Sequence, residues 1–224
     1  MFLNLLFSSP SLAIVWVVAI FFSLTIHEFS HALVGKWRGD LTAEREGRLT
    51  LNPAAHIDPI GLIPLFLFGF GWAKPVPFNP YNLKNPKWDS VAIALAGPLS
   101  NVLLATVSGI AFRFTITSLG SANLLTIFLL LLTMVNVFLA FFNVIPVHPL
   151  DGSKLFFALF DAPQYARLRA FIAVRGPQVL LMAVFVAILT NIPVFSFIDK
   201  PAYAACNALI GGPCLGYFAS IFGG

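Results

Sequence analysis

Long apolar runs limit this chain more than any other feature. They fall at about 11–36, 59–71, 90–112, 122–146 and 172–198, with a weaker one at 202–222, in a 224-residue chain that is 58% hydrophobic and 10% charged. Soluble domains carry about a quarter charged residues. Together with 24 Phe and a mean hydropathy of +0.89, this composition predicts an integral membrane protein. A span needs about 20 apolar residues, so the run at 59–71 is too short to cross. Gly61, Pro64, Gly69 and Gly71 also punctuate it, and a re-entrant segment that returns to its own side is expected. The first run has no basic residue ahead of it and continues well past the length of a signal-peptide core, so it reads as a retained helix.

Charge sets the expected topology. With 59–71 not crossing, the loops 36–58, 72–89 and 147–175 share one side and hold most of the Lys and Arg; the other side keeps Arg113 and Lys200. By the positive-inside rule the first side is cytoplasmic, which puts the N-terminus outside in a cell membrane. Trp37, Trp72 and Trp88 fall at segment ends on that same side, as an aromatic belt would. The expected fold is all-α, with four spanning helices, one re-entrant segment and a small β-hairpin or sheet at the cytoplasmic face. The extended segments for that sheet are GRLTLNP (47–53) and AKPVPFNP (73–80). The whole chain, 1–224, reads as a single membrane domain with a core at 11–160, a last spanning helix at 172–198 and an external tail at 199–224. Its formal charge of +4 is scattered between apolar runs, and no nucleic-acid motif is present, so nucleic acid is excluded as a partner.

The first helix carries His27, Glu28 and His31 in the middle of an apolar run. Ionisable groups at membrane depth are costly and mark functional sites by default. Residues four apart share a helix face, so the two imidazoles point the same way and Glu28 lies beside them, which is the geometry of HExxH zinc hydrolases. A catalytic zinc site takes three protein ligands and keeps one position open. The metzincin pattern fails at Val34 and Trp37, and Glu44 and Glu46 lie in a solvated loop. Asp151, in NVIPVHPLDGSK (143–154), is the better third ligand. Pro146 and Pro149 break the helix before it, and Gly152 permits a tight turn or a close approach. His27 lies about 13 Å inside Lys36 at 1.5 Å per residue, so Asp151 must reach inward. Asn101, in GPLSN (97–101), belongs either to a helix-packing stripe with Ala92, Ala96 and Ser100 or to the site lining. His56 and His148 lie in loops near the motifs; a fourth protein ligand would close the open position, so they are expected to pack, hydrogen-bond or line the entrance. Asp58 reads as a turn or cap residue.

HEFSH (27–31) together with Asn143-Val144-Ile145-Pro146 and Leu150-Asp151-Gly152 resembles the site-2 protease family of intramembrane zinc metalloproteases, whose signatures are HExxH and NxxPxxxLDG. The resemblance runs from about 15 to 160 and includes RLTLNPAAHIDPIG (48–61) and GWAKPVPFNP (71–80), which resemble the compact bacterial branch without PDZ or CBS domains. It implies His27, His31 and Asp151 as ligands of one zinc, Glu28 as catalytic base, and Asn143 as a residue that helps hold the substrate backbone. It also implies a single-span transmembrane protein as substrate, unwound locally and clamped by strand addition near 73–79, with the opening toward the cytoplasm. The sequence does not specify an oligomeric state. Two rival readings remain, a metal-binding or transport protein and a silent scaffold; Glu28 argues against the first, because transport has no evident need of a general base there.

Overall fold

The computed structural model describes residues 2–68, 71–190 and 192–222. Gly69 of the expected re-entrant turn, and the last two residues of the expected tail, lie outside the described residues. The helices are α1 (Phe2–Ser8), α2 (Pro10–Arg38), α3 (Thr42–Arg45), α4 (Pro59–Phe68), α5 (Pro86–Leu119), α6 (Leu124–Asn143), α7 (Gly152–Leu159), α8 (Ala166–Thr190), α9 (Ser196–Ile210) and α10 (Cys214–Phe222). Among the described residues, four apolar helical stretches are long enough to cross a membrane: α2, α5, α6 and the one that contains α8.

Helices α2, α5 and α6 pack on one another and form the centre. Lipid is as apolar as Leu, so helices in a bilayer associate through close packing and interhelical hydrogen bonds rather than through hydrophobic burial. The polar residues of these spans make those bonds. Ser108 of α5 meets Thr133 of α6 at 2.8 Å, Asn101 of α5 donates to Asn136 of α6 at 2.6 Å, and Asn136 donates to Ser23 of α2 at 2.8 Å. Ser108, Thr133, Asn101, Asn136 and Ser23 are all buried. Helix α2 ends at Gly39 in the left-handed conformation, with Lys36 and Arg38 in its last turn, where cations complement the helix dipole.

The chain that follows α4 packs back against it. Gly71 comes back beside Gly61 and Leu65, so tightly that a Cβ on Gly61 would overlap the Trp72 carbonyl. Asp58 caps this helix, accepting from the Ile60 amide at 3.0 Å and from Trp72 Nε1 at 2.8 Å.

The expected hairpin does not form. No strand occurs among the described residues, and 47–53 and 73–80 are joined by no ladder; one antiparallel bridge pairs Ile57 with Ala73. Pro75 and Pro77 have no N–H to give a ladder, and side chains take the neighbouring backbone groups. Arg48 donates to the carbonyls of Lys74 and Pro75 at 2.5 and 3.0 Å, and Asp40 accepts from the Asn79 amide at 2.7 Å. Residues 71–79 are therefore an extended strap held by side chains.

The stretch expected as an external tail is largely helical and packed. Helix α9 lies along α5 and α6, with Ala202 and Cys206 fully buried and Phe195 against Phe142 at its start. A disulfide joins Cys206 to Cys214, and α10 turns away by 89° to place Phe218 and Phe222 against Ala19, Ile127 and Leu131.

Candidate metal centre

His27 and His31 project from successive turns of α2 toward α5. The space they enter exists because residue 97 is glycine: a Cβ there would lie 2.5 Å from His31 Nε2 and 2.6 Å from His27 Cε1. The imidazole Nδ1 atoms are both occupied on the far side. His31 Nδ1 donates to the Ile93 carbonyl at 2.7 Å, which only a protonated Nδ1 can do. His27 Nδ1 lies 2.5 Å from Asn101 Oδ1. A chain of amides orients that oxygen. Asn136 Nδ2 donates to the Leu132 carbonyl, Asn136 Oδ1 accepts from Asn101 Nδ2, and Asn101 Oδ1 is left to accept from His27.

With its proton on Nδ1, a neutral imidazole presents a bare Nε2 lone pair. The two Nε2 atoms face each other at 3.0 Å and face Asp151 Oδ2 at 3.3 Å from His27 and 3.4 Å from His31. Asp151 arrives from the break between α6 and α7. Gly152 lets it approach, because a Cβ on that residue would overlap the Val144 carbonyl. Asp151 Oδ2 is buried and accepts no hydrogen bond. In that tautomer three lone pairs converge, and a buried unpaired carboxylate oxygen costs several kcal/mol, so the donor set fits a divalent cation. Two imidazoles and a carboxylate within 4.8 Å of one another suit zinc, and the bonds at both Nδ1 atoms are the outer partners that fix metal-ligating histidines.

Glu28 lies on the cavity wall beside this cluster, and its Oε2 accepts from the Val76 amide of the strap at 3.1 Å. The cavity has a volume of about 1140 Å³ and is mostly apolar, bounded by α2, α4, the strap, α6, α8 and the start of α9. Asn143 lines it, its amide donating to the Leu139 carbonyl at 3.0 Å. His148 and His56 also line it, apart from the metal cluster. His56 is buried, with Nε2 2.9 Å from the Thr50 carbonyl; burial and nearby Lys154 push His148 below the ordinary histidine pKa. Asn101 is buried as the orienting partner of His27 rather than exposed on the cavity wall.

Sequence reasoning did not single out Asn136, Ser23, Gly97 as the imidazole pocket, Arg48, Asp40 or the Val76 amide. Asn136 carried the same signal as His27, a lone polar group inside an apolar run. The roles of Arg48, Asp40 and Val76 depend on backbone proximity and leave no trace in local pattern.

The chain is 38% identical over 145 residues to "Putative zinc metalloprotease YwhC" of Bacillus subtilis strain 168, covering 62% of this chain and 66% of that protein. It is 29% identical over 157 residues to "Putative zinc metalloprotease MJ0611" of Methanocaldococcus jannaschii, covering 67% of this chain and 75% of that protein. The match thus spans about two thirds of the first relative's length. No family model matches the chain, and no solved structure matches it. The shared designation of the two relatives supports a metalloprotease family with zinc as the metal, and the four apolar helices fit a multi-pass membrane protein.

Proposed function

We propose that this protein is an intramembrane zinc endopeptidase of the site-2 type, hydrolysing a peptide bond within or near the membrane-spanning segment of another protein. The observation that carries this reading is the convergence of His27 Nε2, His31 Nε2 and Asp151 Oδ2, with Glu28 beside them, on one apolar cavity wide enough for a segment of chain.

Zinc, when bound, supplies Lewis acidity to water and to the scissile carbonyl. The chain's own residues do the rest. Glu28 accepts a proton from the attacking water and delivers it to the leaving amine nitrogen. Asn101 and Ile93 hold the imidazoles in the tautomer that leaves Nε2 free. The apolar wall contributed by Phe138, Leu139, Leu181 and Val184 suits a hydrophobic segment, and Asn143 offers a polar contact to a substrate backbone that has left its helix. A helix shields its own carbonyls, so a substrate must unwind before attack, and segments with helix-weakening residues near the cut are favoured. The concentration of Lys and Arg in the loops around the strap and Asp151 supports an opening toward the cytoplasm.

The test is cleavage of a panel of single-span membrane proteins in liposomes by the purified protein and by Glu28→Gln, with bound zinc measured in both. The expected result is cleavage that falls by at least about a hundredfold in the variant while zinc is retained. Zinc binding with no cleavage by either protein across the panel would overturn the reading in favour of a metal-binding or transport role.

A further inference from the structure

The strap at 71–79 is anchored from several directions. Arg48 holds the carbonyls of Lys74 and Pro75, the Lys74 amide donates to the His56 carbonyl at 2.8 Å, Lys154 Nζ sits 5.4 Å from the centre of the Phe78 ring, and Asp40 holds the Asn79 amide. Between these anchors lies Pro75-Val76-Pro77, a triplet with one N–H. That single donor is directed at Glu28 Oε2. Pro77 also biases Val76 toward extended conformations, so the donor has little freedom to turn away.

We infer that the Val76 backbone amide is the positioning group for Glu28: the strap exists to present one rigid donor that fixes the carboxylate's orientation toward the His27–His31–Asp151 cluster. Glutamate has three side-chain torsions, and α2 fixes none of them. A carboxylate free to swing in a wide cavity spends little of its time in the geometry proton transfer needs, and small misplacements cost up to about a hundredfold in rate. Anchoring one oxygen to a donor that cannot rotate leaves the other to face the reacting atoms. The inference deepens the proposed peptidase reading and rests on it for the catalytic consequence. The hydrogen bond itself stands independently.

Two measurements test it. The first needs neither metal nor substrate: exchange of the Val76 amide, read by NMR of 15N-valine-labelled protein in micelles, for the metal-free wild type and Glu28→Ala. We expect the amide to exchange about tenfold faster or more in the variant; equal rates would overturn the inference. The second compares Val76→Pro, which removes the N–H in an extended conformation that Pro77 already favours, with Val76→Ala, which keeps it. We expect kcat of Val76→Pro to lie about tenfold or more below that of Val76→Ala, with KM within about twofold and zinc content equal. Equal kcat values, or a faster Val76→Pro as a blocking strap would produce, would overturn it. A wild type that cleaves nothing defeats the peptidase reading and leaves the exchange comparison to decide the inference.

Discussion

Helices α6 and α8 are alike in sequence, both strongly apolar and both long enough to cross a membrane, yet half of the apolar window of α6 is buried and only 11% of the one that includes α8. The difference lies in the few polar residues. Helix α6 carries Thr126, Thr133 and Asn136 on its buried side, and the last two bond to α5 or α2. Helix α8 has Gly176 and Val184 buried, and of its polar side chains Arg175 bonds to Gln178 and Thr190 to the Val186 carbonyl, both within the helix. Apolar length says that a helix can enter a bilayer; buried hydroxyls and amides say which helices grip one another. In this molecule the gripping helix α2 carries both histidines of the candidate metal centre, and the loosely held one forms a wall of the cavity.

The sharpest way to break that comparison is at the grip itself. Gly97→Ala places a methyl group where the imidazoles lie, and metal analysis of the purified variant should find little bound zinc, with cleavage down by about a hundredfold or more. Asn136→Leu removes the amide that orients Asn101 and leaves the latter's Nδ2 without its partner. Zinc affinity, measured by chelator competition, should weaken by about 10–100-fold, with a stability loss of about 1–3 kcal/mol.

A smaller effect concerns the far end of the strap. Burial alone would raise the pKa of Asp40, but hydrogen bonds from the side chains of Thr42 and Asn82 and from the backbone amides of Asn79 and Thr42 hold it below the ordinary carboxylate value. A depressed folded-state pKa contributes stability that is present above the unfolded value of about 3.9 and lost as pH falls through the folded value. Thermal unfolding in detergent should show an acid-side decline that is shallower in Asp40→Asn, the variant being the less stable protein at neutral pH. The smallest effect belongs to α8. Met182 is exposed and does not line the cavity, and Met182→Ala should change stability by no more than about 0.5 kcal/mol with cleavage unaltered. A large loss there would show that α8 is gripped after all.

Much of this was legible in the sequence, for identifiable reasons. His27, Glu28 and His31 stand out because ionisable groups are rare in apolar runs and helical spacing places the two histidines on one face. Asp151 stands out because two prolines and a glycine break the chain beside it. The spans follow from length and hydropathy, and the shortness of α4 from the Gly and Pro that punctuate its run. The hairpin was misread because alternation at 47–53 and 73–80 resembles strand pattern, whereas the prolines leave too few donors for a ladder and Arg48 and Asp40 satisfy the backbone instead. The packing of α9 was not legible, because Asp199, Lys200 and Pro201 lower its hydropathy, while Ala202 and Cys206, which let it approach α5 and α6, are short residues with weak pattern. Gly97 was visible only as a small residue, since the object it makes room for lies 66 positions or more away in the chain.

The order in which the site's parts occur along the chain has a consequence for biosynthesis. Two imidazoles and a glutamate enter the bilayer with the first long helix; their orienting partners come with α5 and α6, and the last ligand is residue 151. Until that residue has emerged from the ribosome, the histidines lack the carboxylate that completes the candidate metal centre. On the proposed reading, a product of translation stalled before residue 151 carries the general base and two of the three ligands but no complete site.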